Sequence, residues 1–279
     1  MTSCGWLERE YATVAAVPDY PAIEASWAER MVRALAQHPP TVVPYGEGER
    51  REIDLYRPAG ADDPPVLVWI HGGYWQRRHR REFAWIATPW LARGVAVALP
   101  GYPLCPEVTL SALVEDVRSA VALLWREAGA LGLSRRWLVG GHSAGGHLAA
   151  IVAATDWGSR GLADLSFRAV LPSSGLFDLA PLLGTTHNRA LGLDLAEATR
   201  LSPLLHVPPR GTRLLAAVGG AESREFRRQS HDFAVAWQER GAAAASLELP
   251  GRHHFTAQDA WAEPESALFA AAWAFLTCD

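Results

Sequence analysis

Residues 138–150 read LVGGHSAGGHLAA and set one small hydroxyl, Ser143, between glycines where an apolar run gives way to an alanine-rich one. Glycine costs stability inside a strand and inside a helix alike. Its use on both sides of Ser143 predicts a sharp backbone turn with the serine at the tip. RWLVGG (136–141) predicts the strand before that turn, and AGGHLAAIVAAT (144–155) the helix after it. In this context Gly141-His142-Ser143-Ala144-Gly145 has the form of a nucleophile elbow. Such a serine is held in a strained conformation, its Oγ stands clear of the sheet, and the helix N-terminus adds the positive end of a dipole.

Outward from the elbow, the same alternation continues. PPVLVWIHGG (64–73) is apolar on both faces over Val66–Ile70, as expected of a central strand in a mostly parallel sheet. VAVALP (95–100), FRAVLPSSG (167–175), TRLLAAVGG (212–220) and AAASLELPG (243–251) predict further strands. REIDLYRP (51–58) predicts another, with Ile53 and Leu55 on one face. Helices are predicted at 22–36, ended by Pro39-Pro40, at 83–94 with a kink at Pro89, at 110–129, at 223–241 and at 263–276. Strands alternating with helices predict an α/β fold, a mostly parallel, doubly wound sheet with helices on both faces. The 279 residues suit a single domain, 1–279. Residues 176–205 exceed one crossover helix and are expected to form a small cap-like insertion over the sheet's C-terminal edge.

Composition narrows the functional classes. The chain is 49% hydrophobic and 20% charged, with a formal net charge of −4, so it has no global field for nucleic acid or anionic lipid. Three scattered cysteines, Cys4, Cys105 and Cys278, have no metal-like spacing and predict a reducing compartment without a disulfide framework. No apolar run is long enough to span a bilayer, and the first twenty residues lack the pattern of a secretory signal. The expectation is a soluble cytoplasmic protein with a small-molecule substrate and no nucleic-acid or membrane partner. Its oligomeric state is left open, with a homodimer among the arrangements considered.

A serine nucleophile needs a base, and the base needs an orienting acid. In this architecture they follow in the order serine, acid, histidine, each after a strand. Glu222 is the first acidic residue after TRLLAAVGG, with Glu225, inside the predicted helix, as the fallback. Arg252-His253-His254-Phe255 follows the next strand, so one of the two histidines is the base. The oxyanion requires preorganised N–H donors. Gly73 and Tyr74, in the loop His71-Gly72-Gly73-Tyr74-Trp75, are expected to supply them, with Ala144 opposite. His71 is expected to brace this loop, His147 to pack under the elbow, and Asp116 and Asp178 to cap or tie loops. Gln76-Arg77-Arg78-His79-Arg80-Arg81 reads as a solvated charged face; the functional alternative is that one arginine pairs with a substrate carboxylate.

These stretches together resemble the kynurenine formamidase (arylformamidase) branch of the α/β-hydrolase fold, close to the hormone-sensitive-lipase-like esterases. The resemblance rests on VPYGEGERREIDLYRP (43–58), HGGYWQ (71–76), GHSAGGHLAA (141–150), SGLFDL (174–179), EFRRQS (225–230) and HHF (253–255). It implies Ser143 as nucleophile, Glu222 as acid and His254 as base. One departure is that the family's acid is commonly aspartate. The resemblance further implies hydrolysis of N-formylkynurenine to kynurenine and formate, a step of tryptophan catabolism, with no metal or organic cofactor. A formyl group calls for a tight acyl side and a planar apolar leaving-group side, for which Tyr74, Trp75 and Phe177 are candidate walls. The competing readings are a broad carboxylesterase on short-chain acyl esters and a non-catalytic ligand-binding protein that keeps the fold.

Overall fold

Every residue of Val66–Ile70 is buried, and the run serves two cores at once. Val66, Val68 and Ile70 face one hydrophobic cluster, while Leu67 and Trp69 face the other, as a period of two requires. The computed structural model containing this strand describes residues 3–277, so Cys278 lies outside the described residues. Cys105 is free and buried.

The strands are β1 (Thr41–Pro44), β2 (Glu52–Tyr56), β3 (Val66–Ile70), β4 (Ala96–Pro100), β5 (Trp137–His142), β6 (Ala169–Ser173), β7 (Arg213–Gly219) and β8 (Ala243–Leu249). They form one sheet in the order β1-β2-β4-β3-β5-β6-β7-β8. β2 runs antiparallel to both β1 and β4, and the remaining pairs are parallel. The helices are α1 (Ser3–Tyr11), α2 (Tyr20–Gln37), α3 (Ala87–Leu91), α4 (Leu110–Arg126), α5 (Ala144–Ala153), α6 (Asn188–Leu191), α7 (Leu195–Arg200), α8 (Arg224–Glu239), α9 (His254–Asp259) and α10 (Ala267–Thr277). Residues of α4, α5 and α8 pack into one cluster, and those of α2, α3 and α10 into the other, so helices cover both faces.

Local chemistry explains most of these elements. α4 buries Leu110, Leu113, Val114, Val117, Val121 and Leu124, a stripe at three- and four-residue spacing. Each such side chain contributes about 1.5–3 kcal/mol when fully buried. Thr109 caps this helix by accepting from Ala112 N–H at 3.2 Å. Pro21 sits at the start of α2, where its fixed φ and missing N–H suit the first turn.

One expectation is corrected, and other features go beyond what the sequence showed. The helix expected over 83–94 is a 3₁₀ stretch, Arg80–Ile86, followed by the short α3. Pro89 stands in the first turn of α3, where no intrahelical N–H is needed. β2 is buried on both faces, because Asp54 meets Arg80 rather than water. β1 and α1 were not anticipated: the first is a four-residue, largely exposed edge strand, too short to show a pattern. Residues 176–205 hold two 3₁₀ turns with α6 and α7 between them.

Sheet order decides where the chemistry gathers. β3 and β5 are neighbours, with Ile70 opposite Gly141, so the loops leaving their C-terminal ends emerge side by side. β7 and β8 are also neighbours, with Gly219 opposite Leu249, which does the same for the segments carrying Glu222 and His254. The chain moves away from β3 in opposite directions through β4 and β5, and open α/β sheets form crevices at such a switch point.

Candidate active site

Ser143 occupies φ 58°, ψ −123° between β5 and α5, a region that a non-glycine residue enters only when its surroundings impose it. The close approach that does so is visible at Gly145. A Cβ there would lie 2.0 Å from the Ile70 carbonyl oxygen and 2.5 Å from that of His71. No residue with a side chain fits, and the end of β3 is thereby pressed against the elbow. Ser143 is buried apart from a small opening.

His254 Nε2 lies 3.1 Å from Ser143 Oγ, and His254 Nδ1 lies 2.6 Å from Glu222 Oε2. Glu222 Oε1 accepts from Ser174 Oγ at 2.5 Å and from Gly219 N–H at 2.7 Å. An acceptor-only carboxylate so placed makes Nδ1 the protonated nitrogen of His254, which leaves Nε2 free to accept the serine proton. The structure thus brings Ser143, Glu222 and His254 into one hydrogen-bonded chain. Glu222 reaches because its own N–H turns back onto the Gly219 carbonyl at 3.1 Å, a tight turn that takes up the side chain's extra methylene.

The alternatives raised by the sequence lie elsewhere. His253 Nδ1 accepts from Phe255 and Thr256 N–H at 3.3 Å each, and so caps α9. Glu225 is bonded to Arg228 and to the Tyr11 hydroxyl, and the Arg228 guanidinium holds its carboxyl below the ordinary range. His142, beside Ser143, is pushed well below the ordinary imidazole range by burial and then by the His254 ring. Being neutral, it donates from Nε2 to the His254 carbonyl at 2.8 Å, a positioning contact that the sequence reading did not anticipate.

The loop after β3 is strained as well. Gly73 has φ 117°, and a Cβ on it would meet the Arg77 carbonyl oxygen at 2.3 Å; Tyr74 and Trp75 follow with φ of 51° and 59°. Among the described residues, the N–H groups of Gly73, Tyr74 and Ala144 have no hydrogen-bond partner, the condition of donors kept for an oxyanion. His71 braces the loop. Its ring stacks on Tyr102 at 4.2 Å, burial pushes it down to about 3, and its Nδ1–H donates to the Gly72 carbonyl at 2.8 Å. His147 is a buried residue of α5, with Nε2 donating to the Leu201 carbonyl at 2.8 Å. Asp116 pairs with Arg51 at 2.7 Å, and Asp178 accepts from Ala180 N–H at 3.2 Å.

A narrow cavity opens over Ser143 and His254. Tyr74 lines it, with its ring stacked on His187 at 3.7 Å and its hydroxyl donating to the Tyr11 carbonyl at 2.7 Å. Trp75 and Phe177 do not line it. Both are fully buried, Trp75 edge-on to His147 and Phe177 stacked on Phe233 at 4.2 Å, because their loops turn those rings into the core. The aromatic walls are instead Tyr20 and Trp27 from α2, with Phe83 and Phe255. The helical spacing of Trp27 signalled a buried face, but not what that face covers.

The arginine run is not a solvated face. Arg80 is buried and paired with Asp54 at 2.8 Å and with Glu52. Arg78 pairs with Glu24 at 2.5 Å and Glu82 at 2.9 Å, and Arg81 with Asp54 at 3.4 Å. Arg77 and Arg78 both line the cavity. Among the described residues, no group of three or more His, Cys, Asp or Glu side chains could hold a metal ion. No helix among them is long and apolar enough to cross a membrane.

The chain is similar to several known proteins. A family model described as BD-FAE matches residues 53–196. A kynurenine formamidase of Salmo salar is 34% identical over 221 residues, covering 76% of this chain and 74% of its own. A solved structure from Silicibacter sp. TM1040, described as a candidate thioesterase, superposes with a TM-score of 0.83 at 30% identity over 96% of this chain and 98% of its own. EstE1, a thermostable carboxylesterase from a metagenomic library, superposes at 0.75 over 95% and 98%; at 21% identity it speaks for the fold alone. With an elbow serine at the crossover of a mostly parallel sheet, and this likeness over most of both chains, the protein is a hydrolase that belongs to the kynurenine formamidase family of α/β-hydrolases.

Proposed function

We propose that this hydrolase cleaves aryl formamides, with N-formyl-L-kynurenine as its substrate and L-kynurenine and formate as its products, through Ser143, His254 and Glu222. The observation that carries this reading is the continuous chain from Ser143 Oγ through His254 to Glu222 beneath a narrow, aromatic-walled cavity. Relatives named kynurenine formamidase direct it toward the formamide.

In this mechanism Ser143 Oγ attacks the formyl carbon as its proton passes to His254 Nε2. Glu222 stabilises the resulting imidazolium and keeps it oriented. The oxyanion is received by the N–H groups of Gly73, Tyr74 and Ala144, worth about 2.7–4 kcal/mol for a single such donor. The carbon–nitrogen bond then breaks, and His254 returns the proton to the departing aniline nitrogen. Water, deprotonated by His254, attacks the formyl-serine; formate leaves and Ser143 regains its proton.

The test is a side-by-side kcat/KM measurement on N-formylkynurenine and a short-chain aryl ester, in wild type and Ser143→Ala. The formamide should be the better substrate, and the alanine variant should lose nearly all turnover with its melting temperature kept. A strong preference for the ester would assign the site to carboxylester hydrolysis. Tight binding without turnover of either compound would make the protein a non-catalytic binder.

A further inference from the structure

The residues lining the cavity over Ser143 include two arginines, Arg77 and Arg78, and no acidic residue, in a chain whose formal net charge is −4. Within residues 77–81, Arg78, Arg80 and Arg81 each have acidic partners on β2, on α2 or in the loops beside them. Arg77 has none. Its side chain is exposed, and among the described residues its guanidinium makes no ion pair or hydrogen bond. Glu24 feels the Arg77 charge, but its carboxylate is already bonded to Arg78 and to the Tyr20 hydroxyl.

The backbone that carries Arg77 is fixed. Its N–H donates to the Gly73 carbonyl at 3.2 Å, and its own carbonyl fills the space that a Gly73 side chain would need. The uncommitted cation of this cavity is therefore tied to the same loop that offers the Gly73 and Tyr74 N–H groups. A planar guanidinium donates two parallel hydrogen bonds to a carboxylate, which a lysine ammonium cannot do.

We infer that Arg77 binds a carboxylate on the leaving-group half of the substrate and so selects carboxylate-bearing aryl substrates over those that lack one. This inference rests on the formamidase reading above for the identity of the scissile bond, but not for the charge preference. The rim is open to water, so the pair acts through binding and not on the chemical step.

The experiment compares N-formylkynurenine with its carboxamide, in which a neutral amide of nearly the same shape replaces the carboxylate, in wild type, Arg77→Gln and Arg77→Lys. The carboxylate-over-carboxamide ratio of kcat/KM should fall about fivefold in Arg77→Gln, an effect typical of a partly exposed ion pair, with the loss in KM. Arg77→Lys should keep part of the ratio, and added salt should lower it in wild type more than in Arg77→Gln. An unchanged ratio in Arg77→Gln overturns the inference. If neither formamide is turned over, the formamidase reading fails on its own. The same ratio is then read from phenyl acetate and a carboxylate-bearing phenyl acetate, and from calorimetric binding of the formamide pair to Ser143→Ala with and without Arg77→Gln.

Discussion

Replacing Glu222 by glutamine changes one oxygen for one NH₂, and the structure dictates what that does. The carboxylate accepts from three donors: Ser174 Oγ at 2.5 Å and Gly219 N–H at 2.7 Å on one oxygen, and His254 Nδ1–H at 2.6 Å on the other. An amide has one accepting atom and one donating atom, and the Gly219 N–H cannot reverse its role. If the amide oxygen stays on Gly219, its NH₂ faces His254 and favours the tautomer with the proton on Nε2, which cannot take the serine proton. If the oxygen turns to His254, a buried N–H of Gly219 is left facing another donor, at about 1–3 kcal/mol. At about 1.4 kcal/mol per factor of ten, the competent arrangement becomes a minority of roughly one in ten to one in a hundred. That minority has also lost the negative charge that stabilises the imidazolium. The combined loss approaches the 10⁴-fold or so seen when an orienting carboxylate becomes an amide. The assay is kcat/KM on N-formylkynurenine with a thermal melt alongside, and Glu225→Gln as the control for a carboxylate outside the chain. A near-wild-type rate in Glu222→Gln would refute the reasoning, and a collapse confined to Glu225→Gln would move the acid to that residue.

The two adjacent histidines should separate by role. His254→Ala should lower turnover by several orders of magnitude, and adding Ser143→Ala should cost little more, because the residues act as a unit. His253→Ala should keep most of the turnover and lose about 1 kcal/mol of stability with its helix cap; the reverse pattern in rates and melts would exchange the assignments. Acid sensitivity should trace in part to His147, which burial pushes down to about 3. The unfolded chain takes up that proton near pH 6.5, so His147's contribution is complete above about 6.5 and lost as pH falls toward 3, with a slope of up to about 1.4 kcal/mol per pH unit. Urea melts from pH 7 to pH 4 should show a shallower slope in His147→Gln, and an unchanged slope would contradict the neutral, buried assignment.

The sequence by itself determined the elements whose signals are local. A strand, a glycine-flanked serine and a helix follow one another without a gap, so the turn at Ser143 needs no distant partner to be recognised. Continuous burial of Val66–Ile70 is written in five apolar residues. The order of serine, acid and histidine along the chain was enough to bring Glu222 and one of two histidines into consideration. Residue order left both His253 and His254 open and only the family resemblance pointed to His254; the tertiary structure adds the geometry, turning one ring into its own helix cap at the start of α9 and the other toward Ser143. It also accommodated a glutamate, through a turn closed on Gly219. The cavity walls were out of reach of the sequence for a different reason. Hydrophobic spacing reports that Trp27 is buried, but the pairing of α2 with a site more than a hundred residues away is decided by how helices pack on the sheet. The same holds for residues 77–81, which look alike in one dimension. Their fates diverge because β2, α2 and the adjoining loops bring acidic partners to Arg78, Arg80 and Arg81 and none to Arg77.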